Sequence, residues 1–291
     1  MFRVDARTTL TNRTIRSPRT ANTVSVTVAA FAAVSAGLLL SSCGGPAGGA
    51  PHAASARHSV TRPAAVRLPA VSTARQAAHL LRGTVPIGRG PAITAVATVL
   101  RSAPGYASPG GSVTGTVPAS WYGRPSVLPV VATRPGWVQV RLAQRPNGST
   151  AWLPAGDVTL GRTPYRIVVN NTATQLALYE RGRLVFAAPA GVGTTDDPTP
   201  TGEFFVAFDE QPPQPDPGYG PFIIVTSAHS PAISDWENSG DAIIGIHGPL
   251  GEDSEIGTAG ARISHGCVRL HAEALERLAE VPPGTPVDVV G

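Results

Sequence analysis

From about residue 91 onward, apolar and polar positions alternate in short bursts, and turn formers interrupt them at close intervals. Residues 94–100, 126–132, 137–142 and 149–153 read as β-strands on that ground. Arg145-Pro146-Asn147-Gly148 reads as the hairpin turn before the last of them, because Asn-Gly readily takes positive φ. A second series follows at 165–170, 175–179 and 183–186, with Glu180-Arg181-Gly182-Arg183 as the turn between the latter two. Residues 203–208, 222–226 and 242–247 add further strands, and 287–290 is expected to close the sheet. One segment has helical spacing: 272–280 places Leu275 and Leu278 on one side and stops at Pro282-Pro283. The proline-loaded stretch 211–221 is too long for a simple hairpin, and loops of that kind are often lids.

Composition agrees with turn-rich β structure: 32 glycines and 29 prolines accompany only 14% charged residues. The 291 residues allow one large or two ordinary domains. All basic residues are arginine, which excludes Schiff-base chemistry on a lysine. The net charge of +4 suits an anionic surface such as a cell wall, but the arginines form no stripe, so nucleic acid is not an expected partner. Before residue 91 the pattern is different. Arg3, Arg7, Arg13, Arg16 and Arg19 precede an uncharged apolar run at 24–40, and Leu40-Ser41-Ser42-Cys43-Gly44 resembles a bacterial lipobox. Residues 1–43 therefore read as an export signal, with Cys43 as a lipid-anchor site; an uncleaved single-pass anchor is the alternative. Both readings place the rest of the chain outside the cytoplasmic membrane. Residues 44–90, rich in Ala, Gly, Pro, Ser and Arg, read as a flexible linker in which His52, His58 and His79 are solvated and 73–81 has room for a short helix.

Candidate chemistry concentrates near the end of the chain, in Ile246-His247-Gly248 and then Ile263-Ser264-His265-Gly266-Cys267-Val268-Arg269-Leu270. A thiol is mostly protonated at neutral pH, so a nucleophilic Cys267 needs a base, and His247 and His265 are both available. In extended backbone His265 and Cys267 share a face, and Gly266 between them permits a turn whose amides form an oxyanion nest. The bland alternative is a buried cysteine beside core histidines. The chain has two cysteines, so lipidation of Cys43 leaves Cys267 as a lone thiol; a Cys43–Cys267 disulfide is the other option. A zinc site of His247, His265 and Cys267 lacks a fourth ligand at the usual spacing, and no metal or cofactor is expected. Asp196, Asp197 and Glu203 sit among turn residues and read as a solvated loop, and His271 reads as structural.

These residues resemble the signature of the L,D-transpeptidase family: a histidine, a spacer, then Ser/Thr-His-Gly-Cys with Arg or Asn two places on. Thr199-Pro200-Thr201-Gly202 is similar to a loop of the same family. The resemblance covers about the last two-fifths of the chain. It implies a YkuD-type β-sandwich catalytic domain over 163–291 with one short helix, and residues 91–161 resemble an SH3-like β-barrel or sandwich, so the expected class is mainly β. It also implies that Cys267 takes the acyl group of a peptidoglycan tetrapeptide stem, with His247 as base, and that an acceptor stem then forms a 3→3 cross-link. Gly248 would orient His247 through its carbonyl, and amides of His265, Gly266 and Cys267 would bind the oxyanion, while Ser264 and His265 organise the site. Arg269 would meet a substrate carboxylate unless it pairs with a local acid such as Glu273, and Tyr219 is expected to cover the acyl site. Rival readings are an L,D-carboxypeptidase or endopeptidase, with water as acceptor, and a non-catalytic wall-binding lipoprotein. The sequence leaves the oligomeric state open.

Overall fold

The computed structural model describes residues 91–212 and 217–291. The export segment, Cys43 and the linker lie outside the described residues, as does the middle of the proline-loaded loop. The first part of the described chain runs through β1 (Thr94–Val99), β2 (Ala103–Tyr106), β3 (Val113–Val117), β4 (Ser120–Trp121), β5 (Arg124–Pro125), β6 (Val127–Arg134), β7 (Trp137–Arg141), β8 (Thr150–Pro154) and β9 (Val158–Thr163). After Pro164 come β10 (Tyr165–Asn170), β11 (Gln175–Glu180), β12 (Arg183–Pro189), β13 (Val192–Gly193), β14 (Gly202–Glu210), β15 (Ile223–His229), β16 (Ile243–His247), β17 (Arg262–Ser264), β18 (Val268–Arg269), α1 (Ala272–Glu276) and β19 (Pro286–Val290). The class is mainly β with one short α-helix among the described residues.

Seven strands form the first sheet, in the order β3-β2-β8-β7-β6-β1-β9, and eight the second, in the order β12-β11-β10-β19-β14-β15-β16-β18. The β11–β12 hairpin turns on Arg181 and Gly182, both at positive φ, as a two-residue turn matched to strand twist requires. The β7–β8 connection differs from the expected tight Asn-Gly turn. It spans residues 142–149 with positive φ at Gly148 alone, because the Asn147 side chain is bonded to the backbone of His229 instead. β19 does not close the sheet at an edge; it lies between β10 and β14, parallel to the first and antiparallel to the second. The helix ends a turn earlier than expected. Beyond Glu276 the bonds tighten to i→i+3, as in Leu278 N–H to Leu275 O at 2.8 Å, while Leu275 and Leu278 remain buried.

The continuous apolar run of β14, Phe204 to Phe208, has a structural cause: both faces of the strand are buried. Phe204 and Val206 join the core of the second sheet with Ile224, Ile246, Val268, Leu270 and Leu275. Phe205, Ala207 and Phe208 join Ile223 and Val225 against Leu128, Val138, Val140 and Leu153 of the first sheet. A register shift between Val206 and Phe208 lets Ala207 and Phe208 enter the same cluster. Trp121 packs edge-on to Phe208, so it belongs to this junction, whereas Trp152 is buried in the first sheet. Gly284 permits the close approach: a Cβ there would lie 2.8 Å from Val96 Cγ1 and 2.9 Å from Val127 Cγ1.

Candidate active site

The site is built on β16 and β18. They pair in parallel with Ile246 opposite Val268 and His247 opposite Arg269, so the same register carries Gly245 to Cys267. The Gly245 N–H donates to Cys267 Sγ at 3.4 Å. Gly245 and His247, two apart on a strand, face the same way, and this face also carries the thiol. Gly245 has no side chain to intervene; a Cβ there would come within 3.8 Å of His247 Cδ2 and 3.3 Å of Ile223 Cγ2. Nothing in the motif pointed to Gly245. Its only sequence signal is that it stands two residues before His247.

His247 is only 3% exposed, and its Nδ1 lies 2.8 Å from the Gly248 carbonyl oxygen. A carbonyl only accepts, so Nδ1 carries the proton and Nε2 is the lone-pair nitrogen. Gly248 is held in turn by its N–H to Tyr219 O at 2.7 Å, and a Cβ at Gly248 would fall 2.5 Å from Gly218 O. The Tyr219 ring stands 4.9 Å from the His247 ring, which places it against that imidazole from the end of the proline-loaded loop.

Burial pushes the Cys267 thiol above its ordinary pKa, with the Gly245 N–H and the Arg269 guanidinium opposing that shift. Gly266 has φ +117, and a Cβ there would lie 2.8 Å from Ile244 Cδ1. Its carbonyl accepts from Thr199 Oγ1 at 2.7 Å, and the same hydroxyl accepts from Gly193 N–H at 2.8 Å. The Gly266 amide donates to Ser264 Oγ at 3.1 Å, and that hydroxyl donates to Cys267 O at 2.6 Å. The Gly266 amide, one of the three expected in the nest, is thus bonded to Ser264.

His265 does not follow the alternation expected of extended backbone, because the bend at Gly266 interrupts the strand between β17 and β18. Its side chain is 61% exposed, with Nε2 3.9 Å from Asp197 Oδ2 and the ring 5.1 Å from that of Trp236. Arg269 pairs with Glu252 rather than Glu273, and its Nε is buried with no partner. Its main chain exchanges bonds of 2.9 and 2.8 Å with Gly191. His271 meets Asp253 at 3.0 Å. Among the described residues no group of three His, Cys, Asp or Glu side chains is placed to hold a metal ion.

Sequence reasoning missed the segment that carries Trp236. Residues 230–241 have no apolar periodicity, and a single tryptophan among Pro, Ser, Asp, Asn and Gly was the available signal. The β7–β8 connection clamps this segment from the first sheet. Arg145 donates to Asp241 Oδ1 at 2.9 Å, Ser230 O at 2.8 Å and Ile233 O at 3.0 Å. Asn147 bonds the His229 carbonyl at 2.8 Å and its N–H at 2.9 Å. Burial pushes the His229 pKa down, against the attraction of Asp241, which lies 3.1 Å from Nε2. The Trp236 N–H then closes on Asp241 O at 2.9 Å.

The profile of the YkuD family, the L,D-transpeptidase catalytic domain, matches residues 164–289. A Bacillus licheniformis protein named for the L,D-transpeptidase YkuD is 39% identical over 127 residues, 43% of this chain and 66% of that protein, so the match spans just under two thirds of the relative's length. The Bacillus subtilis protein named for the L,D-transpeptidase YqjB is 31% identical over 146 residues, 48% of this chain and 77% of that protein. A solved L,D-transpeptidase from Mycobacterium smegmatis aligns with 53% of this chain and 91% of its own at 16% identity, with a TM-score of 0.34.

Proposed function

This chain belongs to the L,D-transpeptidase family, and we propose that it forms 3→3 peptidoglycan cross-links by cysteine acyl transfer from a tetrapeptide stem, with release of D-alanine. The observation that carries the reading is the arrangement of Cys267 and His247 on one sheet face across Gly245, with the His247 tautomer set by Gly248 O. Burial favours a neutral thiol at rest, so His247 takes the proton as sulfur attacks rather than facing a stored thiolate. Attack falls on the amide carbonyl beyond the L-centre of diaminopimelate. The amides of His265 and Cys267 meet the oxyanion; loss of one such donor typically costs about 3 kcal/mol. His247 returns its proton to the departing D-alanine nitrogen, leaving a thioester that an acceptor amine resolves. The place of action is the cell wall outside the membrane, a reading supported by the basic leader, the apolar run and the lipobox-like Cys43.

The test is to incubate the full chain with disaccharide-tetrapeptides and follow dimer and D-alanine by mass spectrometry, with Cys267→Ala in parallel. Dimer lost in Cys267→Ala is the expected result. Tripeptide without dimer would make the chain an L,D-carboxypeptidase. Wall binding with neither product would make it a binding module and overturn the enzymatic reading.

A further inference from the structure

Around His265, two residues before Cys267 in the motif, side chains from two other loops gather: Trp236, 41% exposed, and Asp197, whose side chain is 25% exposed. The base His247 lies in the buried layer. Neither Asp197 nor Trp236 has a part in the first acyl transfer as derived above.

We propose that this corner is the acceptor site of the second half-reaction: it binds a primary ammonium group between the Asp197 carboxylate and the Trp236 face, and His265 takes its proton. The inference rests on the cross-linking reading and names the group the site accepts. An aliphatic amine is an ammonium ion near neutral pH, with a pKa of about 10.4 in water, and has no lone pair with which to attack. His247 is poorly placed for the first deprotonation, because a full charge would have to be desolvated to reach a side chain that is 3% exposed. An exposed imidazole at the rim removes the charge before that step.

The geometry suits one nitrogen. At 3.9 Å the gap between His265 Nε2 and Asp197 Oδ2 is too long for a direct hydrogen bond. A nitrogen about 2.8 Å from each reaches both, since two such contacts span separations up to about 5.6 Å. The ring of Trp236 stands 5.1 Å from that of His265, so an aromatic π system, with which an ammonium interacts favourably, adjoins the imidazole. Among the described residues Asp197 pairs with no arginine, while the motif's own guanidinium, Arg269, is neutralised by Glu252. Both flanking loops are held in advance. Asp197 N–H bonds Thr194 Oγ1 at 3.1 Å, and Arg145 and Asn147 fix the segment bearing Trp236. Asp196, Asp235 and Glu237 are the chain neighbours of the corner and add negative charge.

The step balances. R–NH3⁺ gives one proton to His265 and becomes R–NH2, and the nitrogen attacks the thioester carbonyl as the C–N bond forms. His247 takes the second nitrogen proton, the C–S bond breaks, and that proton passes to the departing Cys267 sulfur, while His265 releases its own to water. Water as acceptor requires no ammonium site, so the corner controls the choice between cross-linking and hydrolysis.

The experiment uses the full chain, Asp197→Asn and Trp236→Ala with disaccharide-tetrapeptide, and records D-alanine together with the dimer-to-tripeptide ratio over a range of acceptor concentration. In each variant the half-saturating acceptor concentration should rise about tenfold and the ratio should fall accordingly, with Asp197→Glu recovering part of it. A ratio equal to that of the unaltered chain in both variants overturns the proposal. Release of no D-alanine by the unaltered chain would sink the cross-linking reading alone. The corner is then judged by binding of free diaminopimelate to Cys267→Ala, read from the part of the tryptophan fluorescence that Trp236→Ala removes. Saturable quenching that Asp197→Asn weakens upholds the site, and its absence refutes it.

Discussion

Thr199→Val tests whether the loop that ends Thr199-Pro200-Thr201-Gly202 holds the catalytic turn in place. Valine matches threonine in shape and removes only the hydroxyl. That hydroxyl accepts from Gly193 N–H at 2.8 Å and donates to Gly266 O at 2.7 Å, and all three residues are buried. The variant leaves one donor and one acceptor without partners in a site closed to water, each costing about 1–3 kcal/mol. Partial relaxation should bring the sum to about 2–4 kcal/mol, equivalent to about 4–16 °C in Tm for a domain of this size. Because Gly266 O is adjacent to Cys267, the variant should also slow iodoacetamide modification of that thiol or the release of D-alanine, and Thr199→Ser should restore both properties. Urea unfolding and mass-detected alkylation measure them. A Thr199→Val chain within about 0.5 kcal/mol of Thr199→Ser would refute the argument, since that is the scatter expected of substitutions that break no buried bond.

Alkylation of Cys267 should still be climbing with pH at the ordinary thiol value of 9.0, because burial raises its pKa; a plateau near neutrality would mean a preformed thiolate. Asp209, half-buried with Oδ1 unpartnered, has its pKa pushed from 3.8 to about 6 by burial, against the pull of Arg124. The folded state therefore holds this proton longer than the unfolded state, and stability falls as pH rises from about 4 to about 6. The shift corresponds to about 3 kcal/mol before screening and about 1 kcal/mol after it. Asp209→Asn should gain that amount at pH 7 in urea melts and nothing below pH 4, and an equal gain at both would contradict the cause. Arg145→Ala should speed amide exchange of Ile233–Asp241 about tenfold or more while leaving β10 and β11 unchanged; uniform exchange would show that the clamp is not local.

How far the fold could be read in advance depended on how local its determinants were. Period-two alternation and turn chemistry marked β1, β7, β10 and β11, and the positive-φ turn at Arg181-Gly182 appears where its residues called for it. The unbroken apolar run Phe204 to Phe208 of β14, all of it buried in the fold, is visible in the sequence. What covers its second face is not, since burial reports that a face is hidden and not by what. The order of β19 in the sheet, the bond from Gly245 to Cys267 and the clamp of Arg145 on Asp241 join residues far apart in sequence, and no local pattern encodes such pairing.

The candidate site divides in the same way. Sequence alone determined the chemical inventory: Cys267, two histidines, two glycines, a serine and an arginine in a spacing shared with one family. Tertiary structure decided how those residues divide the work. The parallel register of β16 and β18 put His247 on the thiol's face, and the bend at Gly266 turned His265 outward to meet Asp197 and Trp236. The physical reason is that side-chain type is a property of one position, whereas a proton path depends on distances and burial that exist only once strands and loops have packed.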